Sequence, residues 1–476
     1  MLKISKVTRR KFLGVASLAT GGAVLGLGDD LLTASAQVVR VRPNISDPGL
    51  NPRVVQALRD GVRAMKALPA TNARSWNSQA RIHNDWCPHS NWFFLPWHRA
   101  YILYFERICR QASGWADFML PYWDWTANPR VPAPFWGGTT ATNPLLDTTR
   151  QVTPTSVASP TFVGQPVINN ILGITDFQTF ASNASTTQRG SAGSGELESR
   201  PHNYIHGTFI RGNMATYMSP LDPIFWLHHA NIDRIWARWN LSHNNTSNTS
   251  WRNFTLSRFY DINTNTWVTV RPSQMISTYA LGYRYPDQPV APPRVARAFE
   301  SFAPVPRNLR AVRAVNQEAR TSAPVSVDVA VPNALQRRLS TAAVAPSGDV
   351  AGQRSQIRLS VGVKRPADTA TAVHIFINTE NAGPNTPLTD PGYVGTFAFF
   401  NGHEGHGRRG AAAAADNDLT FLFDVTDDIQ ELASVNPGRA DGRSVRVTVV
   451  PVYGDDDGRR AEARVTTTNI RLEAIS

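Results

Sequence analysis

The sequence predicts a mainly α, helical-bundle domain followed by an all-β, sandwich-like C-terminal domain. Amphipathic helical patterns and the tryptophans fall between about residues 50 and 295. A stretch rich in Pro, Ala and Arg follows. After about residue 355 come short runs of β-forming residues separated by Gly, Pro and Asp turns. A chain of 476 residues is long enough for two or three domains of ordinary size.

Composition excludes several classes of protein. With 18% charged and 9% aromatic residues, the chain has the composition of a folded globular protein and not of a disordered or collagen-like one. The net charge of +12 comes almost entirely from arginine. These arginines are scattered, with no basic run among aromatics, so no nucleic-acid partner is expected. Only two cysteines, Cys87 and Cys109, are present, which rules out a multi-disulfide scaffold but allows one bridge or a modified cysteine.

The first 36 residues have the pattern of an export signal. The basic segment Thr8-Arg9-Arg10-Lys11 precedes a short apolar stretch and the small residues Ala34-Ser35-Ala36. The arginine pair is typical of the twin-arginine route, which exports folded proteins. We therefore expect the mature chain to begin near Gln37 and to be periplasmic or secreted. No apolar run reaches about 18 residues, so no membrane span is expected.

Domain boundaries follow from these shifts in composition. We assign 37–295 to the helical domain, which includes a loop rich in Thr, Ser, Gly and Pro at about 128–195. Residues 296–355 are interpreted as a linker with one candidate strand at Val325 to Val331, and 356–476 as the β-sandwich. Six strands are predicted in the sandwich: Ile357 to Val363, Val373 to Asn378, Tyr393 to Phe400, Leu419 to Val425, Val445 to Val452 and Ala463 to Leu472.

Seven of the eleven histidines form two groups along the chain. His202 and His206 are four residues apart, which puts both imidazoles on one face of a helix that Pro201 is suited to begin. Neighbouring residues on a helix face about 100° apart, so only one of His228 and His229 is expected to be a ligand. The groups are His83, His89 and His98, then His202, His206, His228 and His229.

Imidazoles without a cysteine or carboxylate cluster indicate a borderline metal such as copper or zinc, and divalent copper has the highest affinity for such sites. Two sets of three imidazoles would leave open positions for a small bridging ligand such as dioxygen. A lone core histidine is more often a packing residue, which is how we interpret His243 and His374. So many histidines on a few helices favour metal binding.

The segments that carry these histidines resemble the tyrosinase and polyphenol oxidase family of type 3 copper proteins. The resemblance covers about residues 55 to 290 and rests on 87–99 (CPHSNWFFLPWHR), 120–125 (LPYWDW), 201–206 (PHNYIH) and 219–234 (SPLDPIFWLHHANIDR). More weakly, the C-terminal part is similar to the β-domain of plant polyphenol oxidases through 281–285 (LGYRY), 374–378 (HIFIN) and 393–397 (YVGTF).

This resemblance implies a copper-binding helical bundle with two copper ions that use dioxygen to oxidise o-diphenols to o-quinones and, in true tyrosinases, to hydroxylate monophenols first. His83 precedes His89 by only six residues, a shorter loop than is usual in the family. His228 is left as a structural residue beside the second copper. The implied ligands are His83, His89 and His98 for the first copper and His202, His206 and His229 for the second.

The resemblance also implies roles for residues near the ligands. Glu198 and Asn203 would hold a water that deprotonates the phenol, although Glu198 could instead be a first-turn carboxylate that stabilises the helix dipole. Cys87 and His89 would form a thioether, as in fungal relatives with a Cys-x-His sequence. Asp233 is either a hydrogen-bond partner of the metal ligands or a salt-bridge residue. Thr216, Tyr217 and Met218 are the residues expected at the substrate entrance.

The C-terminal domain resembles a shielding domain that keeps family members latent, so the chain is interpreted as a zymogen cleaved within 296–355. His403 and His406 either bind or deliver copper or simply lie in an exposed turn, and a copper chaperone is a further candidate partner.

Three other classes of protein compete with a phenol oxidase. A haemocyanin-like reversible oxygen-binding protein uses the same six imidazoles, but the pair Glu198 and Asn203 in a single exported copper domain favours an enzyme. A dizinc hydrolase would need Asp or Glu ligands. A copper-free adhesion or structural protein would not keep all six ligand positions filled.

Overall fold

The computed structural model describes residues 39–291, 309–337, 356–368, 370–400, 418–429, 444–453 and 462–475. The predicted export signal at 1–36 and the residues His403 and His406 lie outside these described ranges. None of the described helices combines the length and the apolar character that crossing a bilayer requires.

The helical domain is centred on two helices whose residues are nearly all buried, α3 and α7. A π-helical segment, Glu198–His202 and Tyr204–Ile210, lies between α6 and α7. Its wider turn is a feature often found at functional sites. The helices are α1 (Pro52–Ala67), α2 (Trp76–Trp86), α3 (Phe94–Ala112), α4 (Pro160–Val163), α5 (Gln165–Gly173), α6 (Phe177–Phe180), α7 (Ile224–Trp239) and α8 (Thr249–Arg252).

A buried ion network holds α3 against α7. Arg99 of α3 donates to the carboxylate of Asp233 in α7 and, at 3.3 Å, to the Asp233 carbonyl. Arg42, near the N-terminal end of the described chain, donates to the same carboxylate at 3.3 Å. Buried charges are tolerated only when they are paired, so this network constrains how the two helices meet. Arg99 follows His98 directly and Asp233 lies one turn after His229, so the network also fixes these two histidines relative to each other.

Two short sheets complete the helical domain. β1 (Arg40–Val41) pairs in parallel with β4 (Tyr283–Arg284), which ties the beginning of the domain to its end. β2 (Leu256–Asp261) and β3 (Thr266–Val270) form an antiparallel hairpin that packs against α3.

The described residues of the C-terminal domain form two four-stranded antiparallel sheets, in the orders β10-β7-β12-β5 and β6-β11-β8-β9. Val, Ile, Leu and Phe side chains from both sheets form one buried core, as expected for a sandwich. The predicted fold class is confirmed, and all six predicted strands are present within a few residues. The strands are β5 (Arg310–Arg320), β6 (Val325–Ala330), β7 (Gln356–Lys364), β8 (Thr371–Ile377), β9 (Tyr393–Ala398), β10 (Asp418–Asp424), β11 (Ser444–Tyr453) and β12 (Arg464–Ile475).

The interpretation of 296–355 as a linker with one candidate strand is wrong for Arg310–Arg320, which form the strand β5. β5 pairs with β12 along most of its length, and β6, the strand expected at Val325 to Val331, pairs with β11. β5 was missed because it is an edge strand with few buried residues, which gives it no hydrophobic alternation. The sandwich therefore begins at about residue 310.

The sandwich contacts the helical domain through hydrogen bonds that involve backbone groups of β9 and β10. The Ser194 amide donates to the Thr420 carbonyl at 2.8 Å, and the Ser194 carbonyl accepts from the Leu422 amide at 3.0 Å. β10 therefore pairs with the segment that precedes the π-helix. Arg200, within the π-helical segment, donates to the Val394 carbonyl of β9 at 3.0 Å. These contacts bring the end of β9 and the residues after it over the histidines.

Candidate metal centre

Three histidines from α2, α3 and the turn between them form the first cluster. His83 lies near the end of α2, where the chain turns at Cys87, and His98 lies in the first half of α3. His89 lies in the connecting turn, and its ring centroid is 5.4 Å from that of His83 and 5.3 Å from that of His98. The Nε2 atoms of His83 and His98 are 3.3 Å apart. Three imidazoles therefore converge on one point.

The second cluster comes from the π-helical segment and α7. The His202 and His206 ring centroids are 4.5 Å apart, and those of His206 and His229 are 5.3 Å apart. The Nε2 atoms of His206 and His229 are 3.2 Å apart. The spacing of four between His202 and His206 keeps both rings on one face even in the wider π-helical turn.

The two clusters adjoin each other. The His98 and His229 rings stack with centroids 4.3 Å apart and an interplanar angle of 10°. On the opposite side, His89 and His202 have centroids 5.4 Å apart. The six imidazoles thus form two sets of three that contact each other, as two adjacent metal sites require.

Backbone carbonyls set the tautomer of three of these rings. Nδ1–H of His83 donates to the Tyr217 carbonyl at 2.7 Å. Nδ1–H of His98 donates to the Phe94 carbonyl at 2.8 Å, and Nδ1–H of His206 donates to the Met214 carbonyl at 2.6 Å. In each ring this leaves the Nε2 lone pair available to a metal ion.

The electrostatics keep these imidazoles neutral. Burial lowers the pKa of all six predicted ligands, to about 3 for His98 and about 4 for His206. The Nε2 atoms of His89 and His202 are buried and have no hydrogen-bond partner in the described part of the chain. Unpartnered buried nitrogens are costly unless another group satisfies them. Neutral imidazoles with inward lone pairs are a donor set that fits copper.

His228 lies next to the second cluster, although the sequence analysis assigned it only a structural role. One of its ring nitrogens forms a group with one ring nitrogen each of His202, His206 and His229, and these four atoms all lie within 4.8 Å of one another. Both of its ring nitrogens are buried, with no hydrogen-bond partner among the residues that the structure describes, and its ring centroid lies 5.2 Å from that of Trp125. His229 differs in that it also belongs to a group with His83 and His98, so it faces both clusters.

Glu198 and Asn203 line one small cavity of about 20 Å³ together with His89. This volume has room for one water molecule. Glu198 is buried, and burial raises the pKa of its carboxyl to about 7 against the opposing effect of hydrogen bonds from Ser182 at 2.5 Å and the Ser90 amide at 2.7 Å. Asn203 accepts from His202 Nδ1 at 2.9 Å and donates to the Ala398 carbonyl of the sandwich at 3.1 Å.

Of the three residues expected at the entrance, Tyr217 is the one that contacts the histidines. Its ring centroid is 5.4 Å from that of His89, and it lines the same cavity. Thr216 uses its hydroxyl within its own turn, donating to the Asn213 carbonyl at 3.0 Å. Neither Thr216 nor Met218 lines the cavity.

Cys87 and Asp233 lie where a supporting role requires them. The Cys87 sulfur is 3.5 Å from Nδ1 of His89, and both side chains are buried. Asp233 binds arginine and tyrosine side chains in the network between α3 and α7, so it is a salt-bridge residue.

Phe400 is the residue that the sequence did not reveal. It follows β9 in the sandwich, and its ring centroid lies 4.6 Å from that of His89, 5.1 Å from that of His206 and 5.4 Å from that of Tyr217. Adjacent extended residues point to opposite faces. Phe399 packs in the sandwich core, so Phe400 faces the other way, towards the histidines. Two consecutive phenylalanines at the end of a strand are the sequence signal that could have indicated this, because one packs in the core and the other must contact something on the opposite face.

Comparison with known proteins agrees with this arrangement. The model of the common central domain of tyrosinase matches residues 73–174 and 148–242, which contain both histidine clusters. The chain is 29% identical to tyrosinase HcTyr1 of Hahella sp. over 408 residues, covering 78% of this chain and 80% of that protein. It is 24% identical to a chloroplastic polyphenol oxidase of Malus domestica over 457 residues, covering 84% of this chain and 74% of that protein.

Solved structures share the fold across both domains. Latent apple tyrosinase superposes with a TM-score of 0.67 at 20% identity, covering 92% of this chain and 98% of that one. A latent aurone synthase superposes with a TM-score of 0.65 at 21% identity, covering 93% and 90%. Taken with the matched domain and the named relatives, the chain belongs to the tyrosinase and polyphenol oxidase family and is an enzyme of the tyrosinase and catechol oxidase type.

Proposed function

We propose that the protein uses dioxygen at two copper ions to oxidise o-diphenols to o-quinones. The observation that carries this proposal is the pair of adjacent buried histidine trios beside a slot that holds an aromatic ring, that of Phe400. His83, His89 and His98 would hold one ion, and His202, His206 and His229 the other. When bound, the two ions supply dioxygen binding and the uptake of electrons from the phenol.

The protein residues would position the phenol, exclude bulk water from the site and accept the phenol proton. Burial of the histidines excludes bulk water, and the rings of His89 and Tyr217 offer faces on which a phenol can stack in the place of Phe400. Glu198, held by Ser90 and Ser182, would accept the phenol proton through a water that Asn203 also binds. This base supports monophenol hydroxylation as a second activity.

We propose that the uncleaved chain is a latent proenzyme. Phe400 fills the aromatic slot, and the neighbouring carbonyl of Ala398 accepts from Asn203, so the sandwich blocks both the slot and one partner of the proposed water. We propose a copper domain at 37–295 and a shielding domain that begins at about residue 310, the first residue of β5. A cut between 291 and 309 would separate every described helix through α8 from all eight strands of the sandwich.

A thioether between Cys87 and His89, whose sulfur and Nδ1 atoms lie 3.5 Å apart, would fix the orientation of the His89 ring. Forming the bond removes one hydrogen from the sulfur and one from the imidazole carbon, with dioxygen as the oxidant. Intact-protein mass should be two hydrogens below the sequence value. An unshifted mass, with Cys87 open to alkylation after unfolding, would rule the crosslink out.

Export by the twin-arginine route, to the periplasm or the medium, remains the proposal for 1–36. Loading of copper before export suits this route because it carries folded proteins. A haemocyanin-like oxygen-binding role is the alternative function, and the cavity with Glu198 and Asn203 disfavours it, since reversible binding needs no proton acceptor.

Oxygen uptake tests the proposal. The copper-loaded chain is given a catechol and then a monophenol, before and after limited proteolysis between 291 and 309. We expect uptake to rise after cleavage, with both substrates consumed. Reversible oxygen binding without consumption of either phenol would overturn the oxidase proposal in favour of the carrier.

A further inference from the structure

The wall of the cavity beside His89 carries positive charge that the reaction does not need. Arg189 of the helical domain and Arg365 of the sandwich both line it, together with Glu198 and Tyr217. Oxidation of a neutral phenol calls for an aromatic slot and a proton acceptor, and neither arginine supplies these.

Arg189 is only partly used by the protein. Its Nη1 donates to the Asp85 carbonyl at 2.7 Å, and its guanidinium carbon lies 5.4 Å from the centroid of the Tyr217 ring. Among the described residues, its Nε is buried without a hydrogen-bond partner, and it forms no ion pair with a carboxylate. The one carboxyl of the cavity, Glu198, accepts from Ser90 and Ser182 instead. An arginine with an unused buried donor is suited to bind an anion.

The position of Arg189 relative to the aromatic slot indicates which part of a substrate would reach it. The Phe400 ring marks the slot, Tyr217 lies 5.4 Å from Phe400, and Arg189 lies over Tyr217. A ring bound in place of Phe400 would therefore place a short tail along Tyr217 towards the guanidinium.

Arg365 has a different role from Arg189. It donates to the Phe400 carbonyl from the sandwich side, so it belongs to the cover and departs with it. Arg189 stays beside the slot when the cover leaves.

Building on the proposed phenol oxidase function, we propose that Arg189 selects phenols that bear a carboxylate on a short side chain. The carboxylate would take the free Nε–H of Arg189 while the phenol ring occupies the slot of Phe400. Tyr217 would separate the two ends of the substrate and set the length of the tail.

The test compares dihydrocaffeic acid with its methyl ester, which has the same ring and tail but no charge. The full-length chain carrying Phe400→Gly serves as the background, so that both substrates reach the slot without cleavage. We expect a higher kcat/KM for the acid, and Arg189→Gln should lower the value for the acid about tenfold more than the value for the ester. Arg189→Lys should retain part of the preference, and added salt should reduce it.

The control is Arg130→Gln, which removes one charge from an exposed arginine that does not line the cavity. It should leave the ratio of acid to ester unchanged. Equal kcat/KM values for acid and ester, or the same change of ratio in both variants, would overturn the role of Arg189 while leaving the oxidase intact.

Binding provides a readout that does not depend on turnover. Calorimetry with hydrocinnamate and hydrocinnamide, which lack the phenol hydroxyl, should show tighter binding of the carboxylate, with the difference lost in Arg189→Gln. If neither dihydrocaffeic acid nor its ester is oxidised, the oxidase proposal fails, and these binding data still decide whether Arg189 recognises aromatic carboxylates. Indistinguishable binding of the two compounds would refute it.

Discussion

The rings of Phe400 and His89 lie 4.6 Å apart, centroid to centroid, although one residue belongs to the β-sandwich and the other to the helical domain. This contact places an apolar side chain where a phenol would approach the histidines. In the proposed proenzyme, access to the histidines would therefore depend on how firmly one short segment of the sandwich is held.

Removing the Phe400 ring should open the site in the uncleaved chain. Phe400→Gly leaves the backbone contact of Ala398 with Asn203 in place but empties the slot, so oxygen uptake with a catechol should rise several-fold without proteolysis. Phe399→Leu is the matched control, because Phe399 packs in the sandwich core and its loss should lower stability without admitting substrate. Equal activation by both variants would mean that general loosening of the sandwich, and not the Phe400 ring, controls access.

A substitution at Gly207 should also open the site in the uncleaved chain, without a change at Phe400. A methyl group at Gly207 would lie 2.0 Å from the Phe399 carbonyl oxygen, so Gly207→Ala requires the segment to move away. This variant should also raise uptake before cleavage, and it should lose that advantage once the shielding domain has been removed.

The pKa of about 7 at Glu198 predicts a pH dependence for monophenol turnover. A base must be deprotonated to accept the phenol proton, so the rate should rise as the pH increases through about 7 and fall below it. Glu198→Gln should abolish this rise and lower monophenol turnover more than diphenol turnover. Initial rates of the full-length chain carrying Phe400→Gly, measured over a pH series, provide the test, and a rise that survives in Glu198→Gln would assign it to another group.

Asn203→Gly should reduce monophenol turnover more than diphenol turnover, because it removes one of the two groups proposed to hold the water. Asn203 also donates to the Ala398 carbonyl, so the variant loosens the cover as well. The ratio of the two activities should therefore be measured after cleavage. Equal losses for both substrates would refute the role of Asn203 in proton transfer.

The ion network between α3 and α7 should be a major contributor to stability. Asp233→Asn leaves Arg42 and Arg99 buried with a weakened partner, which should cost about 3–5 kcal/mol in the free energy of unfolding, measured with urea. Asp328→Asn is the matched control, since it breaks the exposed pair with Arg446 and should change stability little. Similar losses in the two variants would show that burial of the network adds nothing.

Metal removal should expose the cost of the unpartnered histidine nitrogens. A chelator should lower the melting temperature of the loaded protein, because an ion that binds only the folded state stabilises it. Copper should restore the melting temperature in the wild type and less fully in His89→Ala. A melting temperature that does not respond to copper would mean that the imidazoles do not form a metal site in the folded chain.

Local patterns predicted much of this molecule, and long-range contacts account for the rest. The histidine groups stood out because helical spacing and residue type together are specific, and the six buried strands stood out because they are rich in β-forming residues. β5 escaped because an exposed edge strand has no alternation. Phe400 and Arg189 escaped because their significance depends on residues far away in the chain, which no local period encodes. The π-helical turn was also missed, since the spacing of His202 and His206 fits an ordinary helix equally well.

The strand order also has a consequence for biosynthesis. β11 and β12 are interior strands of their sheets, flanked by β6 and β8 and by β7 and β5 respectively. Neither sheet can be completed until the ribosome has made these late strands, the last of which ends at Ile475, whereas the helical domain has been synthesised once Ala291 is passed. At about 5–20 residues per second, translation of the intervening segment takes on the order of ten seconds or more. In the proposed proenzyme, this order of synthesis would leave an interval in which the nascent histidines are open to a metal ion or its carrier before the sandwich can form over them.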